Sequence, residues 1–171
     1  VKKMARIISV DIFMVDLQPM VRRTDAIQSF DSQQTPFVQI TDSDGVTGLG
    51  YSYTIGQGGS AVMALLRDDL IGQLIGQDAE EIGRIWRDLL FSIHATAVGA
   101  MSSLALAAID IALWDLRCKR AKLPLYKMLG GAKSSVAMYT TEGGWLHIDT
   151  ADLVADALAA QAKGFSGSKV K

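Results

Sequence analysis

The hydrophobic pattern of this chain changes period partway along, and that change limits the fold more than any other feature. Across residues 6–15, Ile8, Val10, Ile12 and Met14 alternate with Ser9, Asp11 and Phe13, the two-residue repeat of a strand with one buried face. Residues 37–41 and 46–53 are also strand-like and flank Asp42-Ser43-Asp44-Gly45. Asp and Gly suit a tight turn, so this stretch reads as an antiparallel hairpin. From Gly59 onward the spacing becomes helical: Val62, Leu65, Leu66, Leu70, Leu74 and Ile75 form one stripe, and Glu81, Arg84, Arg87 and Asp88 mark the polar side of the next segment. A third helix spans residues 99–121, where Leu104, Ala108, Ile111, Ala112 and Asp115 recur closely and the alanines permit tight packing. Lys119, Arg120 and Lys122 complement the dipole at its last turn, and Pro124 stops it, so this basic cluster reads as a helix end rather than a binding patch.

After Gly130-Gly131 the order is a strand at 135–140, a loop at 141–144, a helix at 150–163 and a strand at 166–171. That unit requires a parallel pair joined by a right-handed crossover. The whole order predicts an α+β domain over residues 1–130, an antiparallel sheet followed by helices, and then the opening of a parallel α/β domain over residues 131–171. Two parallel strands cannot cover their own faces, so the second domain is expected to be incomplete in this sequence and the chain to be the N-terminal portion of a longer protein.

The composition narrows the function. In 171 residues, 17 Lys and Arg stand against 18 Asp and Glu, a formal charge of −1, which lacks the basic footprint of a nucleic-acid or anionic-membrane partner. The least polar long run, residues 101–116, is broken by Ser102, Ser103, Asp110 and Asp115, so neither a spanning helix nor a signal peptide is read here and a cytoplasmic location is expected. The single cysteine, Cys118, has no partner for an intrachain disulfide and reads as a small core residue in a reducing compartment.

Fewer residues suggest chemistry. Lys169 and Lys171 are two apart on an expected strand, which turns both side chains to one face. On an exposed edge such a pair protects against aggregation. Enclosed in a β-α-β unit, a lysine crowded by a second ammonium gives up its proton more readily and can act as a base near neutral pH. Gly56-Gln57-Gly58-Gly59-Ser60 lacks the lysine of a phosphate-binding loop and is better explained as a helix entry with Ser60 near the N-cap. His94 reads as a packing or surface residue. His147 follows the 141–144 loop and could approach a site there; Trp114 and Trp145 read as packing residues, Trp145 with a second role as a substrate wall.

Lys169-Val170-Lys171 on a second barrel strand, preceded by Ala108-Ile-Asp-Ile-Ala-Leu-Trp-Asp115 and Pro124-Leu-Tyr-Lys-Met-Leu-Gly-Gly131, resembles the enolase superfamily, and within it the mandelate racemase/muconate lactonizing enzyme family. The resemblance implies a capping domain followed by a modified (β/α) barrel of roughly 250 residues, of which this sequence offers only the start. It implies Mg²⁺-dependent removal of a proton α to a carboxylate, with Lys171 as the base and Lys169 as the companion that contacts the substrate carboxylate. The Mg²⁺ ligands and an opposing base are expected beyond residue 171, and no residue here is assigned as a metal ligand. Residues 17–34, without a sustained period, match the family's capping loop, with Arg22 and Arg23 as substrate contacts; residues 51–60 match a second closing loop that carries Tyr53; and Thr141, with Glu142 beside it, lies at the barrel rim. The partner implied is a small-molecule carboxylate, and the protein is expected to be a homo-oligomer. Polar loops favour dehydration of a sugar acid over racemisation; a racemase, epimerase or cycloisomerase is the alternative among enzymes, and a non-catalytic binding or assembly module is the alternative of another class.

Overall fold

The computed structural model describes residues 4–171. The chain divides into two compact units: one holds the N-terminal residues through Leu17 together with Ser32–Gly130, the other Gln18–Asp31 together with Gly131–Lys171.

The first unit opens with a three-stranded antiparallel sheet in the order β1 (Ile7–Leu17), β2 (Gln33–Asp42), β3 (Thr47–Tyr51). The expected strands and hairpin are all present, and β1 and β2 run further than the sequence pattern suggested. Ile8 was expected on the buried face but is 56% exposed. A bulge explains the difference: Ile7 pairs with Asp42 and Ser9 with Thr41, so Ile8 is displaced from the alternation and Ile7 takes the core position.

The turn between β2 and β3 is built around Asp42, which is fully buried. Its Oδ1 accepts the backbone N–H groups of Asp44 (2.9 Å) and Val46 (3.0 Å), Gly45 supplies the positive φ of 77°, and Oδ2 receives the Arg120 guanidinium from the last turn of a helix. Arg120 also reaches Asp44 Oδ2 at 3.2 Å. The Asp42 hydrogen bond is the main reason that Arg120 holds its proton more tightly than usual, against the opposing cost of burial. Removing Asp42 takes away the acceptor of two turn N–H groups and the fully buried partner of Arg120, which keeps Asp44 and Glu80. The expected result for Asp42→Ala is therefore a loss of about 2 kcal/mol of unfolding free energy, whereas Asp42→Asn, which keeps an acceptor for the turn, loses less; urea denaturation measures both.

Helix α1 (Gly59–Leu65) passes through a π-helical turn (Leu66–Leu70) and a 3₁₀ turn (Ile71–Gln73), and is followed by α2 (Ile82–Ser92), α3 (Ala100–Ala121) and the short α4 (Leu125–Met128). Val62, Leu66, Leu70 and Leu74 of the expected stripe are buried, whereas Ile75 lies half exposed past the helical turns. The helix entry differs from expectation. Its N-cap is Gly58 at φ 91°, and the Gly59 N–H donates to Gln34 Oε1 at 2.8 Å, so Ser60 lies inside the helix without capping it. Along α3 the buried face is Ala105, Ala108, Ile109, Ala112, Leu113 and Leu116, with Ile111 turned outward. Cys118 is buried, and His94 is exposed with Nδ1 3.0 Å from the Phe91 carbonyl.

Strand β3 lies against α3 because the residues on its inner face are Gly48 and Gly50. A Cβ at Gly50 would overlap the Ala108 carbonyl oxygen and the Ala112 amide nitrogen; one at Gly48 would lie 2.6 Å from Leu116 Cβ. Asp115 on the same helix accepts the Leu49 N–H at 2.8 Å, satisfying an edge donor of the sheet.

The second unit contains β4 (Tyr139–Thr140), α5 (Thr150–Ala162) and β5 (Gly167–Ser168), with β4 and β5 parallel. This is the strand–helix–strand order expected, with shorter ladders than residues 135–140 and 166–171 suggested. Among the described residues no helix is long and apolar enough to cross a membrane.

Candidate active site

Three segments meet at the C-terminal end of the β4/β5 pair, all within the second unit. After Thr140 the chain turns through residues 141–144. The Glu142 N–H donates to Thr140 Oγ1 at 3.1 Å, and Gly143 adopts φ 82°. Gly144 has no room for a side chain, because a Cβ there would overlap the Lys169 carbonyl oxygen. That close approach lets the chain leaving β5 reach the turn, where the Lys169 N–H donates to the Thr140 carbonyl at 2.8 Å and the Lys171 N–H to the Gly144 carbonyl at 2.9 Å.

The lysine pair was expected within a strand, with both side chains on one face. The ladder instead ends at Ser168, and Lys169 and Lys171 follow it. The reason is local: the partner strand stops at Thr140, so the backbone of Lys171 bonds to the turn instead. Both lysines are exposed, and Lys171 Nζ stands 4.8 Å from the centroid of the Trp145 ring.

Residues 18–31 form the third segment. Thr24 and Ser29 bridge, the Phe30 N–H donates to the Arg23 carbonyl at 2.9 Å, and Asp25 Oδ1 accepts the N–H groups of Ile27 (2.8 Å) and Gln28 (3.0 Å). Those two backbone donors, with the nearby charge of Lys171 as a lesser cause, hold the Asp25 carboxyl below the usual carboxylate range. The segment then bonds to the turn region. Arg23 reaches Glu142 through Nη2 (2.8 Å) and Nε (3.4 Å), Thr24 Oγ1 lies 2.7 Å from His147 Nδ1, the Leu146 N–H donates to the Thr24 carbonyl, and Phe30 packs on Trp145 with ring centroids 5.5 Å apart. Glu142 also accepts the Trp145 indole N–H at 3.2 Å. Partial burial pushes the Glu142 carboxyl up, but its hydrogen bonds from Arg23 and then Trp145 outweigh this and hold it below the ordinary range.

The sequence candidates are thus distributed unevenly. Arg22 lines a cavity of about 340 Å³ with Thr140, Glu142, Trp145, His147 and Lys163. Arg23, read as a substrate contact, spends its guanidinium on Glu142. Thr141 is exposed on the turn, and Tyr53 belongs to the first unit, where it is 50% exposed. Among the described residues no group of three His, Cys, Asp or Glu side chains converges on a cation site. Glu142 was read at the barrel rim, but its junction with Arg23 and Trp145 was not, and neither were the contacts of Thr24 with His147 and of Phe30 with Trp145; nothing local pointed to them.

The chain is similar to known proteins. The profile of the mandelate racemase / muconate lactonizing enzyme N-terminal domain matches residues 7–130. A 3,6-anhydro-alpha-L-galactonate cycloisomerase of Streptomyces coelicolor is 44% identical over 78% of this chain and 37% of its own length, and an L-talarate/galactarate dehydratase of Salmonella typhimurium is 35% identical over 78% of this chain and 33% of its own. The matched stretch spans about a third of the length of these relatives. A crystal structure of the Salmonella typhimurium dehydratase, liganded with Mg and L-lyxarohydroxamate, superposes with a TM-score of 0.91 at 30% identity, over 99% of this chain and 45% of that one. A magnesium-bound racemase structure from Streptomyces coelicolor gives 0.89 at 38% identity, over 96% and 46%. This chain belongs to the mandelate racemase/muconate lactonizing enzyme family of the enolase superfamily, and it carries that family's capping domain followed by a β-α-β unit.

Proposed function

We propose that the protein containing this chain is a magnesium-dependent sugar-acid dehydratase in which Lys171 removes the proton α to the substrate carboxylate. The observation that carries the reading is the position of Lys171, whose amine stands over Trp145 at the C-terminal end of the parallel strands, the end where barrel active sites are built. In this reading the C–H bond breaks, its proton passes to Lys171 Nζ, and its electron pair forms an enediolate; the enediolate collapses as the C–O bond to the β-hydroxyl breaks, the hydroxyl leaving as water with a proton given by the opposing acid–base group on the further strands. Lys169 contacts the substrate carboxylate. Arg22 and Thr141 select its distal polar groups, and Arg23 contributes by seating residues 18–31 on Glu142. Residues 1–130 act as the capping domain and residues 131–171 as the start of the barrel, whose further strands supply the magnesium ligands and the opposing base. The full protein is proposed to work as a cytoplasmic homo-oligomer.

The test is a panel of galactarate, L-talarate and D-mannonate, incubated with the full-length polypeptide and either magnesium or excess EDTA. Formation of a 2-keto-3-deoxy product that EDTA suppresses is the expected outcome; no product from any acid would overturn the reading. The 44% identity to a cycloisomerase favours a second reading, in which 3,6-anhydro-L-galactonate is isomerised and the three acids are left untouched.

A further inference from the structure

The lysine proposed as base is exposed and carries four rotatable bonds, so its backbone position alone does not determine where Nζ stands. We propose that Trp145 is the positioning residue for the Lys171 amine, its indole face serving as the platform on which Nζ rests. This inference depends on the assignment of Lys171 as the base.

The indole is held more firmly than the lysine it faces. Trp145 is 7% exposed. Its Nε1–H donates to Glu142 Oε2 at 3.2 Å, and Phe30 packs against the ring at a tilt of 58°. Glu142 is in turn fixed by Arg23. Lys171 Nζ stands over the ring at 4.8 Å from the centroid, within the distance at which an aromatic face attracts an ammonium, the form the amine takes once it holds the substrate proton. The base of the lysine is tethered independently by its N–H bond to Gly144. Anchored at its backbone and at its tip, the side chain is restricted to paths that join the two. The charged groups around it are Asp25 on the 18–31 segment, Lys169 on its own, and Arg23 and Glu142 beyond the indole.

A consequence follows for residues 18–31. Phe30 and Arg23, directly or through Glu142, bear on the ring that positions the amine, so the seating of this segment bears on the position of the base. A packing role for Trp145 alone would not require its ring to carry the amine.

The test uses the full-length protein and two variants. Trp145→Phe keeps an aromatic face and loses the indole N–H; Trp145→Leu loses both. Reductive ¹³C-methylation, with the Lys171 signal assigned by its disappearance in Lys171→Arg, reads the ring directly, because methyls over an aromatic face are shifted upfield. The shift is expected in the wild type, reduced in Trp145→Phe and gone in Trp145→Leu. In dehydration of whichever acid the panel selects, Trp145→Leu is expected to lose about 10²-fold in kcat, the cost of a misplacement near 1 Å, with KM changed by less than about twofold, and Trp145→Phe to recover most of that loss. An unshifted wild-type signal overturns the inference, as does a Trp145→Leu enzyme with unchanged kcat, or one in which Trp145→Phe recovers nothing. Full activity in Lys171→Ala, with the wild-type signal still shifted, would instead overturn the assignment of the base.

Discussion

Gly50→Val is expected to abolish native folding of the first unit. Gly50 sits on the inner face of β3, where a Cβ would overlap the backbone of α3 at Ala108 and Ala112, and its Ala112 Cα neighbour would be 3.0 Å away. A flexible side-chain tip can move aside; a helix backbone cannot move without carrying Ala105, Ile109 and Leu113 out of the buried core. Overpacking in a well-filled core costs about 1–3 kcal/mol even where side chains can adjust. Displacing the central helix exceeds that range and takes up a large part of a typical stability of about 5–15 kcal/mol. Gly50→Ala should already lower the unfolding midpoint by more than Asp42→Ala does, and Gly50→Val should give a protein without a cooperative thermal transition by circular dichroism. Leu49→Ala, on the outer face of the same strand, should change the midpoint little.

This contact also marks where sequence reasoning stops. The Asp42–Gly45 turn was legible because its chemistry is local: an Asp that bonds to nearby backbone and a Gly that accepts positive φ. The glycines at 48 and 50 were visible as residues without side chains, but not which backbone they face, since α3 is some sixty residues further along. The bulge that exposes Ile8 is set by pairing with β2, and a period-two pattern contains no record of it. At the candidate site, Lys169-x-Lys171 and the 141–144 turn could be read from spacing and from family resemblance. The position of Lys171 beyond the ladder could not, because it depends on where β4 ends and on Gly144 leaving room. The links from Arg23 to Glu142 and from Thr24 to His147 span 119 and 123 residues, and no single segment announces them.

The second large effect concerns the proton itself. If Lys171 accepts it, Lys171→Ala leaves the substrate free to bind, through Lys169 and the loop residues, but with no acceptor at the reacting carbon. General bases contribute about 10²–10⁴-fold, and the loss should fall on kcat rather than on KM. Lys171 is exposed and makes its backbone hydrogen bond through its N–H, which alanine retains, so the fold is expected to survive the change. Lys169→Ala should differ, raising KM by removing a carboxylate contact.

The most direct measurement is therefore the rate at which the α-proton of the selected sugar acid is lost or exchanged in D₂O, followed by ¹H NMR with magnesium present, for the full-length wild type and Lys171→Ala side by side. The expected result is a fall of at least about 10²-fold with an unchanged circular dichroism spectrum. A variant that is equally well folded and removes the proton at the wild-type rate would contradict the assignment.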